Sequence, residues 1–155
     1  MENERDAPRR LWVLPSWLVS RVALQASRLV TERLDAAGVR RKHFSVLATL
    51  DEFGPASQAA IGRRLALDRS DLHAIVGDLE RQGFVDRARD ATDRRRNEVR
   101  LTPKGRAALK RLDARVQTAQ DDLLAPLSPA ERRELQRLLT RVVEHHAGAP
   151  TPPDR

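Results

Sequence analysis

The sequence predicts a mainly α-helical fold with one small β-hairpin. Apolar residues recur at helical spacing in six segments of the 155-residue chain. Each segment is bounded by residues that are typical of helix starts or helix ends. One stretch between the fourth and fifth segments breaks this pattern, because two short apolar runs there flank a highly charged turn. The length suits one compact domain, or one domain with a helical extension.

Two helices are predicted in the first third of the chain. The first covers roughly residues 16–37, since Pro15 suits a helix start and Gly38 suits an end. The second helix runs from about Arg41 to Phe53 and ends at Gly54, which precedes a proline. Four apolar side chains of this second helix are expected to face a core, namely Phe44, Leu47, Leu50 and Phe53.

A short third helix and a longer fourth helix follow, joined by a tight connection. Ser57 is the predicted N-cap of the third helix, which buries Ile61 and Leu65. Asp68 is the predicted N-cap of the fourth helix, and Gly83 ends it. The fourth helix has one apolar face, made of Leu72, Ile75, Val76 and Leu79.

The predicted hairpin concentrates the positive charge of the chain. Short strand-type runs at residues 84–85 and 99–101 flank the charged segment 86–98. The chain has 29 lysines and arginines against 22 aspartates and glutamates, and a formal net charge of +7. Eight basic and four acidic residues between positions 84 and 106 account for +4 of that charge. A polyanion is therefore a plausible partner, although an arginine-rich composition can also have other origins.

Two further helices are predicted after the hairpin. Thr102 followed by Pro103 starts the fifth helix, and Ser128 with Glu131 forms a capping box that starts the sixth. Their apolar stripes are long for a small domain, so a second copy of the chain is the simplest surface to cover them. The sixth helix is expected to bury Leu135, Leu138, Leu139, Val142 and Val143.

Composition and motifs exclude several classes of function. The absence of cysteine excludes disulfides, thiolate nucleophiles and cysteine-containing zinc sites, and it fits a reducing cytoplasm. No apolar run approaches the ~18 residues of a membrane helix, and residues 1–10 contain no apolar signal core. There is no Gly-rich phosphate loop or serine nucleophile motif, and the adjacent His145 and His146 point apart on a helix. We expect a cytoplasmic protein that is not an enzyme and needs no metal or cofactor.

Two short helices followed at once by a basic hairpin are typical of a winged helix-turn-helix. The second helix of such a motif enters the DNA major groove and presents its N-terminal residues to base edges. Arg69 is suited to the O6 and N7 atoms of guanine. A solvated helix face explains the same side chains when the helix is considered alone, and the basic hairpin favours the DNA interpretation. The candidate DNA contacts on the helices are Ser57, Gln58, Arg69, Ser70, His73 and Ala74.

Three segments resemble the MarR (multiple antibiotic resistance regulator) family of bacterial transcription regulators. They are residues 68–72, residues 79–85, and residues 93–105, where an Asp-x-Arg is followed by an apolar strand ending in Leu-Thr-x-x-Gly. The matching helix order covers about residues 11–146. The resemblance implies a homodimer in which the first and the last two helices form the interface. Each copy then presents one winged helix to one DNA half-site.

The resemblance also implies roles in the hairpin, which forms the wing. Asp93 braces the wing, Arg95 enters the minor groove, and Arg94 and Arg96 contact flanking phosphates. The recognition helix departs from the family pattern, because many members carry Thr, Ser or Arg at the positions of Asp71, His73 and Ala74. The base preference is therefore not carried over, and Asp71 is a candidate helix cap instead of a DNA contact.

Family members are commonly released from DNA by a small aromatic or amphipathic anion bound between the dimerisation helices and the DNA-binding domain. The resemblance implies that Trp17, Arg21, His43 and Phe44 line such an effector pocket here, with a Trp ring to stack on the ligand and cations to meet its charge. The alternative is that Trp17 and Phe44 are core residues and that His43 is a satisfied or surface histidine.

The predicted organisation has four parts. Residues 1–10 and 147–155 form flexible tails, 11–37 and 103–146 form the helical dimerisation region, and 41–102 form the winged helix-turn-helix domain. The protein is predicted to be a homodimeric transcription repressor that binds double-stranded DNA sequence-specifically. A winged-helix protein–protein adaptor and a nonspecific architectural DNA-binding protein remain as alternatives.

Overall fold

The computed structural model describes residues 7–89 and 97–147 of the chain. Seven helices and three short strands occur within these residues. In chain order they are α1 Arg9–Trp12, α2 Pro15–Asp35, α3 Arg41–Phe53, β1 Ala56–Ser57, α4 Gln58–Leu65, α5 Arg69–Arg81, β2 Val85–Arg89, β3 Asn97–Leu101, α6 Pro103–Leu123 and α7 Pro129–Ala147.

Side-chain caps define the starts of four helices, as the sequence predicts. Ser57 Oγ accepts from the Ala60 amide at 3.2 Å and so caps α4. Asp68 caps α5 in the same way, and the hydroxyl of Thr102 caps α6. The capping box of α7 is also confirmed, because the Ser128 amide donates to Glu131 Oε2 at 2.8 Å. Each cap satisfies backbone N–H groups that have no partner inside the helix.

The strands form one antiparallel sheet in the order β1-β3-β2. In the predicted hairpin, Val85 pairs with Leu101. Strand β1 was not predicted, because its two residues are too few to show a pattern, and it forms by pairing Ala56 with Val99. The predicted fold class is confirmed: the chain is mainly α with a small β-hairpin wing, and α3, α4, α5 and the sheet make a winged helix-turn-helix.

One apolar core lies beneath the winged helix-turn-helix. Because α5 contributes only its apolar face to this core, its opposite face points to solvent. Phe53 was expected in the core but is 53% exposed, with the Arg64 guanidinium 4.0 Å from its ring centroid. The fully buried larger side chains come from six elements, and they are Leu34, Val46, Leu47, Leu50, Ile61, Val76, Leu79, Val85 and Val99.

The N-terminal helices differ from the prediction at both ends. Helix α1 begins at Arg9, within the segment 1–10 that was expected to be a tail, and the Trp12 and Trp17 rings pack 4.9 Å apart across the α1–α2 corner. Helix α2 ends at Asp35, two residues earlier than predicted. The chain reverses at Gly38, whose φ of +69° favours glycine, and the Val39 amide donates back to the Leu34 carbonyl.

Helix α7 contradicts one expectation, because none of its residues is buried. The stripe that was predicted to be buried remains partly or largely exposed in the described part of the chain. Val142 is 57% exposed and Val143 is 66% exposed. Helix α2 is similar, with Val19 at 53% and Val22 at 48%. Among the described helices, none is both long and apolar enough to cross a membrane.

Candidate nucleic-acid interface

A tight turn joins α4 to α5 and sets the angle between them. Ala66 has a left-handed conformation (φ 50°), and the Leu67 amide donates to the Gly62 carbonyl at 3.0 Å. A Cβ atom at Gly62 would lie 3.1 Å from the Leu67 carbonyl oxygen. Glycine therefore allows the turn to fold back against α4, and the two helices enclose a concave cleft between them.

The cleft between α4 and α5 has a volume of about 950 Å³ and opens to solvent. Leu67 and Leu72 supply its apolar surface, and polar side chains surround them. Four of the six helical residues predicted to contact DNA line this cleft, together with one arginine that was not predicted. The polar residues are Gln58, Arg63, Arg69, Ser70 and His73.

The remaining two predicted helical contacts lie elsewhere. Ser57 is half-buried and serves as the α4 cap, and Ala74 is exposed on α5 outside the cleft lining. Arg63 was not predicted as a DNA contact, although the sequence shows that it is a basic residue on the polar face of α4. It could be placed only with the angle between the helices known, because that angle decides which side of α4 faces α5.

Asp68 organises the first turn of α5. Its Oδ1 atom accepts from the Asp71 amide at 2.7 Å and from the Ser70 hydroxyl at 2.8 Å. These hydrogen bonds, that of the Asp71 amide above all, hold the pKa of the Asp68 carboxyl below its ordinary value. The Ser70 hydroxyl therefore donates its proton to Asp68, so that only its lone pairs are left to accept a hydrogen bond from another partner. Asp71 was the candidate helix cap, but the cap of α5 is Asp68, to which the Asp71 amide donates.

The lowered pKa of Asp68 gives a pH-dependent contribution to stability. Because the folded state favours the ionised carboxylate, this contribution is complete above about pH 4 and is lost as the pH falls below it. Asp68→Asn keeps a capping oxygen but does not titrate. We expect the melting temperature of the wild type to fall more steeply between about pH 4 and pH 2 than that of the variant. Circular dichroism melts across this range test it, and parallel curves would contradict it.

Two adjacent residues of α3 hold one flank of α5. The Lys42 ammonium forms a salt bridge with Asp71, and His43 Nε2 lies 3.1 Å from Asp78 Oδ2. Arg81 also pairs with Asp78. The hydrogen bond from His43, followed by the charge of Arg81, lowers the pKa of Asp78. Asp71 and Asp78 are seven positions apart on α5, so α3 fixes both ends of one helix face.

The base of the wing is joined to α5 and α6 by a compact set of hydrogen bonds. Thr102 Oγ1 lies 2.7 Å from the Gly83 carbonyl oxygen and 3.1 Å from that of Phe84, and it accepts from the Gly105 amide at 2.9 Å. Lys104 Nζ donates to the Gln82 carbonyl at 2.7 Å. This Thr102–Gly105 junction connects the end of α5, the start of the wing and the first turn of α6.

Ion pairs extend this connection into the strands. Arg87 Nε lies 3.2 Å from Glu80 Oε2, which links β2 to the last turn of α5. Arg100 donates to both carboxylate oxygens of Asp86 at 2.6 and 3.1 Å, which links β3 to β2. The predicted wing residues Asp93, Arg94, Arg95 and Arg96 lie outside the described residues.

Similarity to known proteins decides the family. The sequence profile of the MarR family matches residues 37–96. The HTH-type transcriptional regulator PecS of Dickeya dadantii is 30% identical over 130 residues, which span 82% of this chain and 78% of PecS. The chain belongs to the MarR family. The resemblance drawn from residues 68–72, 79–85 and 93–105 is thereby confirmed.

Solved MarR-type structures share the fold. The crystal structure of the Mycobacterium tuberculosis MarR family protein Rv2887 in complex with DNA is similar, with a TM-score of 0.73 and 28% identity over 88% of this chain and 98% of that one. PcaV of Streptomyces coelicolor, crystallised with its natural ligand, has a TM-score of 0.70 and 30% identity over 86% of this chain and 94% of that one.

The effector residues that the MarR resemblance implies lie on two helices, two of them on α2 and two on α3. The Arg21 guanidinium lies 5.9 Å from the Trp17 ring centroid on α2. On α3, His43 is 4% exposed and bonded to Asp78, and Phe44 packs against the core. One of the two ring nitrogens of His43 thus has a hydrogen-bond partner. The assignment of the four residues to an effector pocket remains a prediction.

A second cavity of this MarR-family chain lies elsewhere, between α6 and α7. It has a volume of about 680 Å³ and includes Val22 of α2, Leu139 and Val143 in its lining. None of the four implied effector residues lines it. Within the described residues, no three histidine, aspartate or glutamate side chains cluster closely enough to hold a metal ion.

Proposed function

We propose that this MarR-family protein is a homodimeric transcription repressor that binds a pseudo-palindromic DNA operator. The single observation that carries the proposal is the cleft between α4 and α5, where Gln58, Arg63, Arg69, Ser70 and His73 surround one concave surface. Such side chains pair with base edges and phosphates. The Rv2887 structure supports it by analogy, since that protein was crystallised with DNA.

The homodimer is supported by the apolar faces that the single chain leaves open. Val19 and Val22 on α2 and Val142 and Val143 on α7 are each about half or more exposed. Contiguous exposed apolar surface of this kind marks an interaction site. A two-fold dimer covers it and sets two recognition helices about one helical turn, or roughly 10 bp, apart on DNA.

An effector is the third part of the proposal. A small aromatic or anionic ligand would stack on Trp17 and meet the charge of Arg21, with His43 and Phe44 on the facing helix. PcaV, which was crystallised with its natural ligand, supports the idea that a chain of this fold has room for one. The test is whether candidate aromatic acids shift the melting temperature of the protein and release it from DNA.

The first experiment is a titration of two duplexes of equal length at two salt concentrations. One carries the sequence just upstream of the coding region, and the other is scrambled. The proposal expects the upstream duplex to bind at least ~10³-fold more tightly if it contains the operator. Equal binding would indicate an architectural DNA-binding protein, and a monomer that binds neither duplex would favour a protein–protein adaptor.

Two arginine substitutions should separate base recognition from phosphate binding. Arg69→Ala is expected to relax base preference, with a loss of discrimination of about 1–3 kcal/mol at one base pair. Arg95→Ala is expected to weaken binding to all DNA sequences alike and to reduce the slope of log K against log salt by about 1. Titrations against a set of single-base variants of the operator measure both. Equal, sequence-independent losses from the two variants would contradict this division of roles.

A further inference from the structure

The start of α3 carries three successive basic residues, with Arg40 at the N-cap followed by Arg41 and Lys42. Two of them have described side-chain partners. The Arg41 guanidinium donates to Ser27 Oγ on α2 at 2.6 Å, and the Lys42 ammonium pairs with Asp71 on α5. Lys42 is thus joined by a salt bridge to α5, the helix proposed to enter the major groove.

The Lys42–Asp71 pair lies in solvent and can exchange partners. The two side chains are 56% and 47% exposed, so water and ions reach both. Asp71 raises the pKa of the Lys42 ammonium through its hydrogen bond and its charge, as expected for a cation beside a carboxylate. An exposed pair of this kind is worth little to stability, because solvent screens it. A DNA phosphate can therefore compete with the carboxylate for the same ammonium.

The position of the pair brings it close to DNA in the proposed complex. Asp71 directly follows Arg69 and Ser70, which line the cleft, and it lies in the first turn of α5. The N-terminus of a helix attracts phosphate through its free amides and its dipole. An uncompensated carboxylate at this place would repel the same phosphate, and Lys42 neutralises it.

We infer that Lys42 is a further phosphate-binding residue and that Asp71 holds it back, which lowers the sequence-independent affinity of the protein for DNA. The inference rests on the proposed function. Each phosphate that a protein neutralises steepens the dependence of log K on log salt by about 0.9. Release of Lys42 from Asp71 adds one such contact.

Asp71→Asn is the direct test, with the scrambled duplex as the probe. We expect the salt slope to steepen by about 0.9 and the affinity at 0.1 M salt to rise about five- to tenfold. Adding Lys42→Met to this variant should return the slope to that of the wild type. Asp71→Glu keeps the salt bridge and should leave the slope unchanged.

Glu134→Gln is the matched control. Glu134 pairs with Arg137 on the polar side of α7, both 54% exposed, so this variant also removes one negative charge and frees one cation. We expect its slope to equal that of the wild type. An Asp71→Asn variant that binds no more tightly than the wild type, or a control that gains as much, would overturn the inference.

The outcomes also separate this inference from the proposed function. A wild-type protein that binds the upstream duplex while Asp71→Asn leaves the slope unchanged would overturn only the role of Lys42. An Asp71→Asn variant that binds less tightly would show that the pair positions α5 instead of restraining a lysine. A wild-type protein that binds neither duplex would overturn the proposed function and this inference together.

Discussion

Replacement of Gly105 by alanine is expected to lower the free energy of unfolding by about 3 kcal/mol or more, which is a large part of the stability of a chain of this size. A Cβ atom at this position would lie 2.0 Å from the Phe84 carbonyl oxygen and 2.8 Å from Leu101 Cδ1. The carbonyl cannot move away freely, because it also accepts from the Thr102 amide at 3.0 Å. Relief of the overlap must therefore break the Thr102–Gly105 junction.

Gly77→Ala is the control for Gly105→Ala. Gly77 lies inside α5, where a Cβ atom would meet only the end of the Arg81 side chain at 3.6 Å. Alanine favours a helix interior over glycine by about 1 kcal/mol, so this variant should be as stable as the wild type or slightly more stable. Urea unfolding followed by circular dichroism measures both. The explanation fails if Gly105→Ala unfolds at the same urea concentration as the wild type.

Val142→Glu is expected to abolish dimer formation and to weaken operator binding by at least ~10²-fold. Val142 is 57% exposed in the single chain, so a glutamate there meets water in the monomer but an apolar surface in the proposed dimer. A monomer binds one half-site alone and loses the contribution of the second recognition helix. Analytical ultracentrifugation and a DNA titration give the two readouts, and the melting of the monomer should be little changed.

Arg141→Glu serves as the control for Val142→Glu. Arg141 is exposed and adjacent in sequence, but on a helix it points about 100° away from Val142. This substitution changes the net charge by −2, whereas Val142→Glu changes it by −1. A purely electrostatic effect on DNA binding would therefore be larger in the control. A Val142→Glu protein that sediments as a dimer would contradict the proposed interface.

Features set by neighbouring residues could be predicted from the sequence. Ser57, Asp68, Thr102 and Ser128 were all identified as helix caps, because a cap is a contact across three residues. The apolar face of α5 was identified for the same reason, since helical spacing determines which side chains share a face. The fold class and the family followed from the order of these local features.

Features set by contacts between distant segments could not be predicted. The sequence gives no sign that Lys42 meets Asp71, 29 positions away, or that His43 meets Asp78, 35 positions away. The exposure of Phe53 and the position of Arg63 in the cleft depend on how α4 packs, which periodicity leaves undetermined. For the candidate site, residue types were therefore easier to predict than their partners.

Because no residue of α7 is buried, the core of the protomer is complete before the last helix is made. Helix α7 is the last described element to leave the ribosome, so the winged helix-turn-helix can close its interior while α7 is still in the exit tunnel. In the proposed dimer, the order of α7 then depends on a bimolecular encounter. Refolding should divide into a fast step independent of protein concentration and a slower step whose rate rises with it.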